Sequence, residues 1–441
     1  MFFENRFYFI PSTMLLFRYF LIGSALLLIP FYAIRGLHTD FTPFSYIFVL
    51  LANIYMVISS RRNFLLFIVA FILFFSDYSI IYANFAGTID SVFTTRLSEK
   101  TFVMSMNVLT LFNLFLLLFV RWERINPGFV DNIFINENKQ DNLILYILYA
   151  LLIPIFFLGF TIPEVEGQRG SHSTAYEYSA ILFLLFFYYC GYQKWHIRLG
   201  LFLVVVYSLQ SFIFGGRIEA IQFLLVTYIM LFMHRISMPK VIFAMVVMFA
   251  LMSIIGQVRG ELLSGNADVV LILSSLAERG FALDTAYAAY YTSESFVYII
   301  DKFTPQKIMV LFWEFVKSVV IGSNQDMLLT SISFEYVYHY GGGILPFYFY
   351  FYLGITGILV SSLLVAYYLN KILRLRADSS GYMKCLTIWI VSTTFRWYLY
   401  TPLPLLRGVL FLTIAYYSFA FLHSQLNKLP IRRNHLIESR G

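Results

Sequence analysis

The chain has 441 residues, 60% of them hydrophobic and only 12% charged, with a mean hydropathy of +0.75. That composition excludes a water-soluble globular domain and calls for a polytopic membrane protein. The formal charge of +7 does not point to nucleic acid, because the basic residues fall in short runs between apolar stretches, where they act as topology signals facing anionic headgroups.

Every backbone amide in lipid must be paired within its own segment, so long apolar stretches read as helices of about 20 residues. Such stretches run over 14–34, 41–58, 64–82, 102–120, 142–160, 177–192, 198–214, 217–233, 240–256, 345–369, 383–400 and 406–423. The expected fold is therefore an all-α polytopic membrane protein of about 12 transmembrane helices in one integral membrane domain, residues 1–441. A large loop, 257–344, separates the ninth span from the tenth. Within it, the run at 308–321 carries Glu314 and Lys317 and reads as an interfacial helix anchored by Trp313; a thirteenth span there would invert everything after it. Basic residues recur on one side, at Arg6, Arg61–Arg62, Arg121, Lys194, Arg235, Lys371–Arg376 and Lys428–Arg433, which places both termini in the cytoplasm and the long loop outside. Arg6 precedes a span with no small-residue cleavage pattern after it, so no removable signal peptide is expected. The 49 Phe and 33 Tyr suit lipid packing and the headgroup level, and tyrosine also offers a hydroxyl to sugar or phosphate.

In chain order, Arg18 lies well inside the first apolar stretch and reads as a side chain snorkelling to the inner headgroups. Asp77, Asp90 and Arg96 lie in or beside the outward loop at 76–101 and read as solvated surface. The polar connector 121–141 holds the turn signal Asn126-Pro127-Gly128. The outward loop TIPEVEGQRGSHSTAY gathers Glu164, Glu166, Arg169 and His172, which either line a polar cleft or form an ordinary hydrated loop. In FIFGGRIEAIQFLL, Gly215 and Gly216 permit a tight turn, and Arg217 opens the following span. Its neighbour Glu219 is two residues on, and residues two apart on a helix do not face one another. Arg259 and Arg279 are each followed by glycine, while Arg396 and Arg407 sit at the outer ends of the last two spans. A guanidinium keeps its charge in apolar surroundings and binds two phosphate oxygens at once, so this set reads as an anion-binding constellation.

The long loop ends in FEYVYHYGGG, where Glu335 and His339 stand four apart and would share a face if helical, fitting His339 to take a proton from a hydroxyl. The two cysteines, Cys190 and Cys385, show no spacing for a disulfide or metal. There is no P-loop, dinucleotide fingerprint, G-x-S-x-G elbow, H-E-x-x-H or D-x-D pair, so no cofactor and no metal are expected.

The twelve or so spans, the late loop, Gly215-Gly216-Arg217, Arg259-Gly260 and FEYVYHYGGG leading into a span with Gly-Ile-Thr-Gly together resemble bacterial oligosaccharide repeat-unit polymerases of the Wzy type. The related O-antigen ligases are also similar. An arginine followed by glycine eleven residues later, a pattern of some members, is absent at Arg169, Arg217, Arg259 and Arg279. The resemblance implies glycosyl transfer between undecaprenyl-diphosphate-linked glycans at the periplasmic face of the bacterial inner membrane, with a chain-length regulator as a possible partner. On that reading His339, oriented by Glu335, is the base, and Arg217 and Arg259 hold the leaving diphosphate. Arg279, Arg396, Arg407, Arg169 and Tyr336 contact substrate. The alternatives are an O-antigen ligase using lipid A-core and a polysaccharide flippase, which would show two similar halves with short loops.

Overall fold

The computed structural model describes residues 12–86, 97–122, 141–161, 171–191, 193–214, 217–232, 239–248, 250, 283–321, 328–376 and 378–426. The chain is built from helices: α1 (Ser12–Leu26), α2 (Ile29–Arg35), α3 (Thr42–Ser60), α4 (Phe64–Ala86) and α5 (Glu99–Phe119) come first. Then follow α6 (Asn142–Leu158), α7 (Ser179–Tyr189), α8 (Lys194–Phe214), α9 (Arg217–Leu231) and α10 (Pro239–Met248). The remainder comprises α11 (Asp284–Ile299), α12 (Pro305–Val320), α13 (Leu329–Phe334), α14 (Leu345–Leu353), α15 (Ile355–Arg374), α16 (Gly381–Ser392), α17 (Thr394–Leu399) and α18 (Leu403–Leu426). Among the described residues seven helical segments are long and apolar enough to cross a membrane, and α6, α7 and α10 are shorter apolar helices. The all-α polytopic membrane architecture follows from these helices. A two-residue antiparallel ladder, Phe160 opposite His172 and Thr161 opposite Ser171, closes the base of the polar loop that follows α6.

Helix boundaries obey local chemistry. Ser98 caps α5 by accepting the Thr101 N–H, Asp141 caps α6 by accepting from Leu143 N and Ile144 N, and Thr304 caps α12 with Pro305 at the first helical position. Two expected spans are broken. The span over 345–369 divides into α14 and α15 at Gly354, whose φ of 61° and ψ of −144° suit glycine. The span over 383–400 divides into α16 and α17 at Thr393.

The chain forms two compact units. The first comprises Met1–Val130, Ile236–Arg376 and Thr393–Leu406; the second comprises Asp131–Arg235, Ala377–Ser392 and Arg407–Gly441. In the first, α5 is buried along nearly its whole length and packs on α1, α3, α11, α14 and α15. Arg18 does not snorkel: it is 6% exposed, with Nε and Nη2 donating to Leu117 O at 3.0 and 2.6 Å and Nη2 to Val120 O at 3.2 Å. The guanidinium occupies carbonyls that the C-terminal end of α5 leaves without helical partners. In the second unit, α9 packs against α7, α8 and α16, with Tyr176, Phe183, Tyr207 and Phe223 forming an aromatic core. Tyr207 Oη donates to Leu152 O at 2.6 Å, and the Tyr176 and Ser211 hydroxyls are 2.9 Å apart.

Of the interval 257–344, residues 257–282 and 322–327 lie outside the described residues. The rest is not a hydrated loop throughout: α11 is buried against α4, α5, α13, α14 and α17. Its tyrosines, serines, threonines and acids lower its apolar content enough to read as loop, yet Tyr290, Thr292, Ser293, Glu294 and Ser295 are each 3% exposed or less.

Candidate functional site

In the first unit, the polar side chains of α11 hold a turn of three glycines. Gly341, Gly342 and Gly343 have φ of 81°, 84° and 149°, a conformation that L side chains rarely adopt. Thr292 Oγ1 donates to Gly341 O at 3.0 Å, and Ser293 Oγ accepts from Ile344 N at 2.7 Å. On its other side the turn meets the end of α17: Gly343 N donates to Leu399 O at 3.1 Å. Tyr348 Oη bridges Gly342 O at 3.2 Å and Tyr400 O at 2.7 Å. A Cβ at Gly342 would stand 3.0 Å from Leu399 O, so the close approach of the two backbones depends on glycine. The segment carrying His339 and the segment carrying Arg396 are thereby joined, backbone to backbone.

His339 precedes this turn and is 3% exposed. Its Nδ1 accepts the Gly341 N–H at 3.1 Å, which puts the proton of the neutral ring on Nε2, 2.8 Å from Ser333 Oγ. Ser333 Oγ in turn donates to Thr330 O at 3.0 Å. Burial pushes the imidazole down to about 4, so at neutral pH the ring is uncharged. The helical relation expected between Glu335 and His339 is not formed: α13 ends at Phe334, Glu335 is its exposed C-cap, and residues 338–344 are not helical. The imidazole is oriented instead by Ser333 and the Gly341 amide. Tyr336 is 43% exposed, with Lys302 Nζ 4.8 Å from its ring centre and Phe303 packed edge-on against it.

Arg396 is 8% exposed on α17 in the same unit. Arg217 at the start of α9, and Arg407 in α18, belong to the second unit; Arg217 is half-buried and Arg407 is 9% exposed. Arg169, Arg259 and Arg279, with Asp90 and Arg96, lie outside the described residues. His339, Tyr336, Glu335 and Arg396 thus belong to one unit, and the segments carrying His339 and Arg396 meet through the Gly343–Leu399 backbone bond. Among the described residues no group of three or more His, Cys, Asp or Glu side chains is placed to hold a metal ion.

Sequence reasoning missed two elements of this site. Asp77 is not solvated surface; it is 1% exposed within α4, accepting from Tyr398 Oη at 2.5 Å, Asn53 Nδ2 at 2.7 Å and Asn113 Nδ2 at 3.2 Å. The available signal was a lone acid inside an apolar span, with Asn53 in the span before it and Asn107 and Asn113 in the span after it. The second is Glu294, 3% exposed on α11 one helical turn from Tyr290. No family model matches the chain, and no curated protein or solved structure matches it either.

Proposed function

We propose that the protein is a membrane glycosyltransferase of about twelve spans that polymerises lipid-diphosphate-linked oligosaccharide repeat units, acting at the outward face of a bacterial inner membrane. The observation that carries this reading is the polar interior of the first unit. Polar side chains within a membrane bundle are costly and are kept for chemistry or binding. Here they converge on a turn that ties a buried histidine to a buried arginine.

In the proposed reaction a hydroxyl of the acceptor sugar attacks the anomeric carbon of the donor. The new bond is C–O, and the bond to the diphosphate oxygen breaks with its electron pair leaving on phosphate. One proton must be accepted and negative charge stabilised. Arg396 supplies a fixed positive charge for the diphosphate, with Arg217, Arg259, Arg279, Arg407 and Arg169 as further candidates. The tyrosine-rich stretch around Tyr336 supplies ring faces and hydroxyls to the glycan. His339 accepts the proton only if its Nδ1 releases the Gly341 amide; Glu294 is the buried carboxylate of α11 that serves if it does not.

The test is incubation of purified protein in nanodiscs with the undecaprenyl-diphosphate-linked repeat unit and chelator, without nucleotide. A ladder of lengthened lipid-linked glycans, lost in Arg396→Ala, is the expected result. Transfer only when lipid A-core is supplied marks a ligase, and movement of the lipid across a bilayer without transfer marks a flippase; either retires the polymerase reading. A full-rate ladder from His339→Ala, with loss in Glu294→Gln, assigns the base to Glu294.

A further inference from the structure

The buried carboxylate of Asp77 has a role that the glycosyl-transfer chemistry does not use. Three spans each place one polar side chain at the same point: Asn53 from α3, Asp77 from α4 and Asn113 from α5. None of the three is more than 1% exposed. The amides are themselves fixed, Asn53 Nδ2 donating to Val49 O at 2.9 Å and Asn113 Nδ2 to Leu109 O at 3.0 Å. Both amides bond Asp77 Oδ2, and Oδ1 accepts from the Tyr398 hydroxyl at 2.5 Å. That separation is at the short end for an O–H···O hydrogen bond. The Tyr398 ring stacks on Phe112 of α5 with centroids 6.1 Å apart.

Tyr398 belongs to α17, a helix of only six residues that begins after the break at Thr393. A helix this short has too few internal hydrogen bonds to fix its own rotation. Arg396 lies two positions before Tyr398, about 200° around the helix axis. Fixing the tyrosine toward α4 therefore turns the arginine away from it. The far end of α17 is held separately, through Leu399 O and Tyr400 O on the glycine turn. A carboxyl group buried in an apolar bundle is costly unless its bonds specify something an apolar contact would not.

We propose that Asp77 is a positioning residue. Through Tyr398 it sets the rotation of α17 and hence the direction in which Arg396 presents its guanidinium to the diphosphate of a lipid-linked substrate. The substrate half of this statement rests on the glycosyl-transfer reading; the geometric half does not.

The experiment has an arm for each half. In a Cys190→Ser, Cys385→Ser background, Arg396→Cys introduces one thiol at the position of the guanidinium, and its maleimide labelling rate is compared with and without Tyr398→Phe, then with and without Asp77→Asn. A several-fold change with both partners is expected, in protein that elutes as wild type by size exclusion. An unchanged rate overturns the proposal whatever the enzyme does. In the second arm, Tyr398→Phe lowers the initial rate of glycan extension about tenfold. The same change made in Arg396→Lys lowers it by less than twofold, because both act through one guanidinium. Independent, multiplying losses reduce Tyr398 to a packing residue and overturn the link to Arg396. If wild type extends no glycan but labelling responds to Tyr398→Phe, the glycosyl-transfer reading falls and the positioning contact stands.

Discussion

His339 is held by two hydrogen bonds, and their removal has unequal consequences. Ser333 keeps its bond to Thr330 O in His339→Ala, but the Gly341 N–H loses its acceptor at the start of a half-buried turn. An orphaned buried amide costs about 1–3 kcal/mol, and the half-buried Gly341 N–H lies at the low end, so His339→Ala is expected to lower unfolding stability by about 1 kcal/mol at pH 7. The contribution depends on pH in a definite direction. Burial depresses the folded imidazole from its ordinary 6.5 to about 4, so between those values the unfolded chain binds more protons. Stability from His339 is fully present above about pH 6.5 and is lost as pH falls toward 4. Denaturant unfolding of both proteins in detergent at pH 7.5 and pH 4.5 checks this: the gap between wild type and His339→Ala narrows in acid, and a gap that widens refutes the buried neutral ring.

At the scale of elements, glycines decide where helices meet. A Cβ at Gly357 of α15 would stand 1.9 Å from Phe349 O, so the first turn of α15 lies directly on the last turns of α14. A Cβ at Gly343 would meet the Phe296 and Tyr348 rings at 2.8 Å, whereas one at Gly341 meets nothing within 4 Å. Gly341→Ala therefore suffers only the backbone penalty of a positive φ, about 1–2 kcal/mol. Gly343→Ala adds overpacking of about 1–3 kcal/mol to its own positive-φ penalty, and Gly357→Ala, in ordinary helical conformation, meets a backbone oxygen that cannot move aside without shifting α14 against α15. Thermal unfolding should rank Gly341→Ala mildest of the three; if Gly341→Ala were the most damaging, the contacts assigned to the turn would be wrong. These elements also show what the sequence makes legible. Apolar runs located the seven helical segments that are long and apolar enough to cross a membrane among the described residues, because hydropathy sums over a window of helix length. The same sum cannot register a backbone break, so α14–α15 and α16–α17 each read as one span. It also scores α11 as loop, since tyrosine, serine and glutamate look alike whether hydrated or bonded to neighbouring backbone. Glu335 and His339 were correctly seen to be four apart, but a helix ending at Phe334 removes the shared face. Asp77 was in plain view in the sequence; what hid it was the hydrated-loop reading of the segment beginning at 76.

For the whole molecule, the number of crossings turns on α12. Its 16 residues extend about 24 Å, short of the roughly 30 Å hydrocarbon core. It carries a Glu314–Lys317 pair at 2.6 Å, buries Leu311, Phe315 and Ser318, and exposes Met309, Val310, Trp313 and Val320. One apolar face outward, one face on the protein and charges between them suit a helix lying along the interface. The first unit provides an independent constraint on parity. Asn370, near the end of α15, accepts from Arg121 N at 2.9 Å and donates to Phe119 O at 2.9 Å, just beyond α5. The C-terminal ends of α5 and α15 therefore lie together, so both helices run in the same direction. With five expected spans between them and α12 lying flat, that direction is reproduced; a crossing by α12 would reverse α15. Cysteines introduced by Arg121→Cys and Arg374→Cys should accordingly be labelled from the same side of the membrane by an impermeant maleimide, and both should be protected from outside in intact cells. Opposite accessibility would make α12 a span and move Lys371–Arg376, with everything after it, to the outer face.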